Sequence, residues 1–302
     1  MGQKGAMTSA PDTTLGDAPL YLTTREVADL LRVKERKVYD LAAADEIPHR
    51  RITGKLLFPR SELMAWIEGE GTLAPAERPA VLTGSHDPLL DWAVRESGCG
   101  LATLLNGSTE GIGVFARGEA AIGGLHLPEE DGWNIRTVAA RGLSDCVLIG
   151  WAVRARGLIL TPDAAGAVQG FGDLKGRRVM MRQEGAGASA LFDLLLAEHG
   201  MTREEFEGGP TPARTESDAA AAVAVGEADA ALGIEAMARQ FHLAFRPILE
   251  ERFDLLIDRR AYFREPVQRL MEFARTEAFA AKAEAMGGYD LGETGKVRWV
   301  SP

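Results

Sequence analysis

Four stretches of this 302-residue chain put a hydroxyl or a bare glycine backbone where an apolar run turns into a helical pattern. They are VLTGSHDPLLDWAV with Ser85 and His86, GLATLLNGSTEGIGVF with Ser108, RRVMMRQEGAGASALF with Gly187, Ala188 and Ser189, and ARTESDAAAAVAVGEADAALGI with Thr215. The first turn of a helix leaves N–H groups unpaired and carries the positive end of the helix dipole, so each turn can hold an anion. Glycine lets the backbone come close, and a short hydroxyl adds a donor. Taken singly, the same residues are the ordinary caps of helices, and capping is their commoner use. Four in one α/β segment shift the balance toward a shared pocket, because open α/β sheets bind ligands at the carboxyl ends of their strands. Arg182 ends the apolar run before GAGAS. If it reaches that pocket, a charge-paired phosphate or carboxylate is favoured over an anion held by neutral donors; the alternative is a surface position at a strand end. His86 is either a proton-dependent donor or a support for its loop.

Covalent and metal chemistry have no comparable set. His49, His86, His126, His199 and His242 are scattered without ligand spacing, and neither HExxH nor GxSxG occurs. Cys99 and Cys146 form no metal-ligand pair and read as free thiols. GAGAS lacks the lysine of a P-loop. No catalytic residue, metal site or cofactor is expected, only an effector anion. Trp151, Glu235, Tyr262 and the Met180–Met181 pair read as packing.

A second chemistry lies near the other end. Between Arg32 and Arg60 stand eight basic residues against four acidic ones, in a chain of net charge −10. A basic island in an acidic protein is a confined footprint for nucleic acid and excludes a protein that coats it with its whole surface. The candidate contacts are Lys34, Arg36, Lys37, Tyr39, Arg50, Arg51 and Lys55.

The elements that must position these groups fall into parts. Residues 1–19 are small, polar and aperiodic, and are expected to be disordered. Residues 20–69 form a compact unit, 70–80 a linker rich in Gly, Pro and Ala, and 81–302 an α/β domain whose second lobe spans roughly 157–250. In the small unit Thr23 or Thr24 caps a helix that buries Val27, Leu30 and Leu31. A turn at Arg32–Val33 leads to a helix over 34–45 carrying Val38, Leu41 and Ala42. A hairpin about Thr53–Gly54 and a helix from Ser61 with Leu63, Trp66 and Ile67 complete it.

LTTREVADLLRV, KVYDLAAADEIP and FPRSELMAWI resemble the excisionase-type winged helix-turn-helix family, related to the MerR fold. The resemblance implies that helix 34–45 enters the major groove while Arg50, Arg51 and Lys55 on the wing hold phosphates or reach the minor groove. TGSHDPLLDWAVRESGCGLATLLNGSTEGI, RRVMMRQEGAGASALFDLLL, TESDAAAAVAVGEADAALGIEA and ERFDLLIDRRAYFREP, with GGYDLGETGKVRW near the end, resemble the type II periplasmic binding protein fold. The likeness is to the molybdate-binding-like domain fused to DNA-binding modules in bacterial regulators. It implies two lobes joined by crossing strands in VLIGWAVRARGLIL and RFDLLIDR, with Ser85 and Ser108 from one lobe and Gly187, Ala188, Ser189 and Thr215 from the other around the ligand.

The expectation is therefore a transcriptional regulator that binds a double-stranded operator and senses molybdate or tungstate by lobe closure. It is expected to be a homodimer in the cytoplasm, away from membranes. Formate or another carboxylate, phosphate and sulfate are the alternative anions. An excisionase-like architectural protein and an enzyme on the bilobal fold are the alternatives of other classes.

Overall fold

The computed structural model describes residues 19–52, 54–67, 77–208 and 211–302. Residues 1–18 of the stretch expected to be disordered, 70–76 of the expected linker, and Thr53 of the hairpin turn lie outside the described residues. The chain divides into two compact units, Met1–Glu77 and Arg78–Pro302.

In the first unit β1 (Tyr21–Thr23) runs into α1 (Thr24–Leu31). Thr23 closes a capping box with Glu26, and Arg32 ends the helix in a left-handed conformation. Helix α2 (Glu35–Ala43), strands β2 (Arg50–Ile52) and β3 (Lys55–Pro59), and α3 (Arg60–Ile67) follow. Val27, Ala28, Val38, Ala42, Phe58 and Leu63 build the core. Two expectations shift. Leu30 is 45% exposed and Ala28 takes its place inside, because α1 has only eight residues and turns a narrow face inward. β1 pairs antiparallel with β3, so the wing is a three-stranded sheet rather than a hairpin.

The second unit opens with alternating elements: β4 (Val81–Gly84), α4 (Pro88–Glu96), β5 (Ala102–Leu104), α5 (Ser108–Ala116) and β6 (Ile122–Leu125). A small hairpin, β7 (Pro128–Glu129) and β8 (Gly132–Trp133), and α6 (Ile135–Ala139) precede the first long strand, β9 (Cys146–Leu160). Then come α7 (Pro162–Ala165), β10 (Arg178–Met180), α8 (Gly187–His199), β11 (Glu207–Gly208), α9 (Glu216–Ala224), β12 (Ala230–Ile234) and α10 (Glu235–Gln240). The second long strand, β13 (Ala244–Asp258), leads to α11 (Arg259–Tyr262), α12 (Glu265–Phe273), α13 (Glu277–Met286), β14 (Tyr289–Asp290) and β15 (Val297–Val300).

β9 and β13 pair antiparallel along their whole length, with register shifts at Pro247/Leu249 and Phe253/Asp254. Such irregularities bend and twist a strand pair, which lets one ribbon serve two lobes. At one end β13 carries β6, β4 and β5, with β4 parallel to both neighbours. At the other, β9 carries β12, then β10 and β11 in parallel. Each lobe has its own core: Trp151, Phe253 and Phe279 in the first, and Phe171, Phe192 and Phe206 in the second. No helix among the described residues is long and apolar enough to cross a membrane.

Candidate functional site

The residues expected to contact DNA stand on the surface of the first unit. Lys34, Arg36, Lys37, Tyr39, Arg51 and Lys55 are exposed, and Val38 between them anchors α2 in the core. α2 begins one residue later and ends two residues earlier than the 34–45 expected, with Lys34 as its N-cap. A recess of about 410 Å³ gathers Arg25, Tyr39, Arg51 and Lys55 from α1, α2 and the wing. Arg50 stands apart: its guanidinium donates to both carboxylate oxygens of Glu62, at 2.8 and 3.1 Å, and to the His49 carbonyl at 3.0 Å. An exposed pair of this kind is weakly held and can be exchanged for a phosphate.

In the second unit the four hydroxyl and glycine loops do different things. Asp87, not Ser85 or His86, caps α4 by accepting from the Leu90 N–H at 2.7 Å. Thr215 caps α9, accepting from the Asp218 N–H at 2.9 Å. By contrast α5 and α8 have no side-chain cap, because Gly107 and Ala186 occupy the cap positions. These two helix starts meet across the gap between the lobes. The Thr109 N–H donates to the Gly185 carbonyl at 3.2 Å, and Gln183 Nε2 donates to the Asn106 carbonyl at 3.0 Å. Gly107 has φ +104°, and a Cβ there would stand 2.8 Å from Gly185 O, so the approach requires glycine. Gly187 is equally confined, since its Cβ would stand 2.5 Å from His126 O.

Beside this contact the Ser85 and Ser108 hydroxyls share a hydrogen bond of 2.7 Å, and both side chains are buried. Ser108 Oγ also accepts from the His126 N–H at 3.2 Å. Ser85, Ser108, Gly187 and Ala188 are thus brought together, with the uncapped turns of α5 and α8 around them. Ser189 turns the other way, its hydroxyl accepting from Arg203 Nη2 at 3.2 Å. His86 is separated too. It lines a recess of about 200 Å³ between α4, α9 and α10, with Trp92, Ser217 and Met237, and its buried Nδ1 has no hydrogen-bond partner among the described residues.

Behind the loops runs a buried chain of ion pairs. Arg154 Nη1 donates to Asp87 Oδ2 at 2.8 Å, and Arg154 Nη2 pairs with Glu251. Arg156 Nη2 donates to Glu251 Oε1 at 2.6 Å, and its Nη1 to Glu216 at 3.0–3.1 Å. Arg182 Nη1 donates to Glu216 Oε1 at 2.7 Å, with its other nitrogens on the Ala213 and Arg214 carbonyls. The chain passes from one lobe (Asp87) through both crossing strands to the other (Glu216 and Arg182). Three arginines face three carboxylates, so it is balanced without a ligand. Burial opposes ionisation of Glu216, but Arg156 and Arg182 outweigh it and lower its pKa to about 2. Arg182 is therefore not a surface residue, and each nitrogen of its guanidinium already holds one protein acceptor.

Residues 91–275 match the PBP superfamily domain, more than half of the 302-residue chain. The chain belongs to the PBP superfamily. Residues 21–71 match a helix-turn-helix domain, so a helix-turn-helix head is joined to a PBP-superfamily domain. The uncharacterised protein YvgK of Bacillus subtilis (strain 168) is 26% identical over 302 residues, covering 91% of this chain and 96% of YvgK. A Clostridium pasteurianum protein, described by its place in the 5′ region of a 2Fe-2S ferredoxin gene, is 33% identical over 109 residues, covering 34% of this chain and 96% of that protein. Among solved structures, a putative phosphate ABC transporter substrate-binding protein with bound phosphate from Clostridium perfringens covers 72% of this chain and 99% of its own, at 13% identity and TM-score 0.46. The alkanesulfonate-binding protein SsuA of Xanthomonas axonopodis pv. citri, bound to MOPS, covers 70% of this chain and 79% of its own, at 18% identity and TM-score 0.43. Likeness at this level says nothing about the ligand here.

The second unit holds residues that the loop motifs did not point to: Asp87, His126, Arg154, Arg156, Glu216, Glu251 and Tyr289, whose hydroxyl donates to Asp87 Oδ2 at 2.9 Å. A signal for two of them was present. In WAVRARGLIL the arginines stand two apart in an apolar strand, which places both on one face. Arginines buried in that way require carboxylate partners. Which carboxylates, from segments 60 and more residues away, was not legible.

Proposed function

We propose that the protein is a ligand-responsive DNA-binding transcriptional regulator whose effector is a small oxyanion, molybdate or tungstate, held between the lobes. The observation that carries this reading is the split among the four loops. Two helix starts are capped by their own side chains, whereas α5 and α8 are uncapped and face each other beside the Ser85–Ser108 hydroxyl pair. The first-turn amides other than those of Thr109 and Ser189, which already have backbone acceptors, together with the paired hydroxyls, offer the neutral donors an oxyanion needs. Because Arg182 is committed to Glu216, the reading favours an anion held by neutral donors over a carboxylate or phosphate that demands a dedicated cation.

The head would read a double-stranded operator through α2 and the wing, as a homodimer on paired half-sites in the cytoplasm. Anion binding favours the closed lobes only by its differential affinity for them, and that difference sets the operator response. Titration of purified protein with molybdate, tungstate, sulfate, phosphate and formate, following thermal stability and operator affinity, tests the reading. Molybdate or tungstate should raise the melting temperature and shift operator affinity at the lowest concentrations. A protein indifferent to all five in both measurements is not an oxyanion sensor.

A further inference from the structure

His126 follows β6 at the carboxyl end of the sheet and is 1% exposed. Its backbone N–H reaches Ser108 Oγ, and its ring lies against the start of α8, where a Cβ on Gly187 would stand 2.7 Å from Cε1 and Nδ1. His126 therefore sits between the two helix starts, with its backbone at α5 and its ring at α8. Its face lies 5.8 Å from the Phe253 ring. Nδ1 is 3.1 Å from Glu251 Oε2. Burial opposes ionisation of Glu251, but the charges of Arg154 and Arg156 hold its carboxyl well below the usual range. An ionised carboxylate only accepts, so Nδ1 carries the proton and donates to it. In the neutral ring Nε2 is then a bare lone pair, and it has no hydrogen bond to any described residue.

We propose that His126 Nε2 contacts the bound oxyanion, and that each anion bound takes up one proton there. This rests on the oxyanion reading above. A lone pair repels an oxyanion, so the neutral ring opposes binding, whereas the imidazolium donates Nε2–H to an anion oxygen and keeps Nδ1–H on Glu251. The proton comes from solvent, and no bond other than N–H forms. The charged groups around the ring act in both directions. Glu251 on β13 favours the imidazolium, while Arg154 and Arg156 on β9 disfavour it. Ser108 from α5, Gly187 from α8 and Phe253 from β13 bring no charge. Burial keeps the ligand-free ring below the ordinary histidine range, so it enters neutral at pH 7 and the bound anion supplies the missing counter-charge. Histidine beside the pocket thereby selects dianions over monoanions of the same size.

The test uses the full-length protein and molybdate. Calorimetry in two buffers of different protonation enthalpy should show uptake of about one proton per site, and Kd should rise about tenfold per pH unit between about pH 6.5 and 8.5. His126→Gln should bind more weakly with no proton uptake and a flat pH profile. Imidazole nitrogen NMR of the ligand-free protein should show Nδ1–H with Nε2 unprotonated. Molybdate binding without proton uptake, or Nε2–H in the free protein, overturns the assignment and leaves the sensor reading intact. Binding of neither molybdate nor tungstate, nor of sulfate, phosphate or formate, in calorimetry or thermal shift overturns both. The measurements on unmodified protein decide the matter if His126→Gln does not fold.

Discussion

Ser108 carries two roles in one hydroxyl: it accepts from the His126 N–H and shares a hydrogen bond with Ser85. Each hydroxyl donated to a charged oxygen is worth about 1.5–3 kcal/mol. Because the pair spends one proton on its own hydrogen bond, Ser85→Ala with Ser108→Ala should weaken molybdate binding by about ten- to a hundredfold, read by calorimetry, with operator affinity of the ligand-free protein retained. Ser189→Ala should change anion affinity little, because its hydroxyl is engaged by Arg203 outside the cleft. Glu216 is a residue of a different kind. Glu216→Gln leaves Arg182 without a carboxylate and Arg156 with Glu251 alone, and breaking a buried pair costs about 3–5 kcal/mol, measurable by denaturant unfolding. Its pH signature follows from a pKa lowered from 4.5 to about 2. A lowered folded-state pKa contributes stability that is fully present above the unfolded value. That contribution should be lost as pH falls from about 4.5 toward 2 in the wild type, and Glu216→Gln should flatten this part of the acid-unfolding curve.

Among the elements, helix starts separate structural caps from candidate donors. Thr215 caps α9 within a capping box, so its hydroxyl oxygen is held at the helix start by the Asp218 N–H. Thr215→Ala should cost about 1 kcal/mol of stability and leave molybdate affinity within about twofold of wild type, the reverse of the Ser85–Ser108 pair. A large loss of anion affinity in Thr215→Ala would move the site to α9. The crossing strands are the other decisive element. Alternation puts Arg154 and Arg156 on one face of β9, with Glu251 opposite Arg154 on β13. The charges that join the lobes therefore sit on the ribbon that bends between them.

On the scale of the whole molecule, two compact units divide the two chemistries: the first carries the exposed basic residues between Arg32 and Arg60, and the second is acidic overall, with Arg154, Arg156 and Arg182 buried and paired. Arg36→Ala should weaken operator binding by about 1–3 kcal/mol, and lower the salt slope if the contact is to phosphate. Molybdate affinity should be unchanged, since Arg36 lies in the other unit. Equal losses in both assays would mean that the substitution harms folding. The sequence by itself determined the bipartite plan, the helix-turn-helix head and the two-lobed α/β domain. The division and the α/β class depend on local signals, period-3.6 stripes, turn glycines, apolar strands and a run of like charge, whereas the winged head and the two lobes followed from the family resemblances. It also located the loops that meet at the cleft. It did not determine which loop hydroxyls are free, since Thr215 and Ser108 look alike until their partners, Asp218 in one case and His126 and Ser85 in the other, are in place. Nor did it show that Arg182 is engaged or that His126 is present at the site. A hydrogen bond needs its partner within about 3 Å, and for Arg182, His126 and Glu251 those partners come from segments that only the tertiary fold brings together.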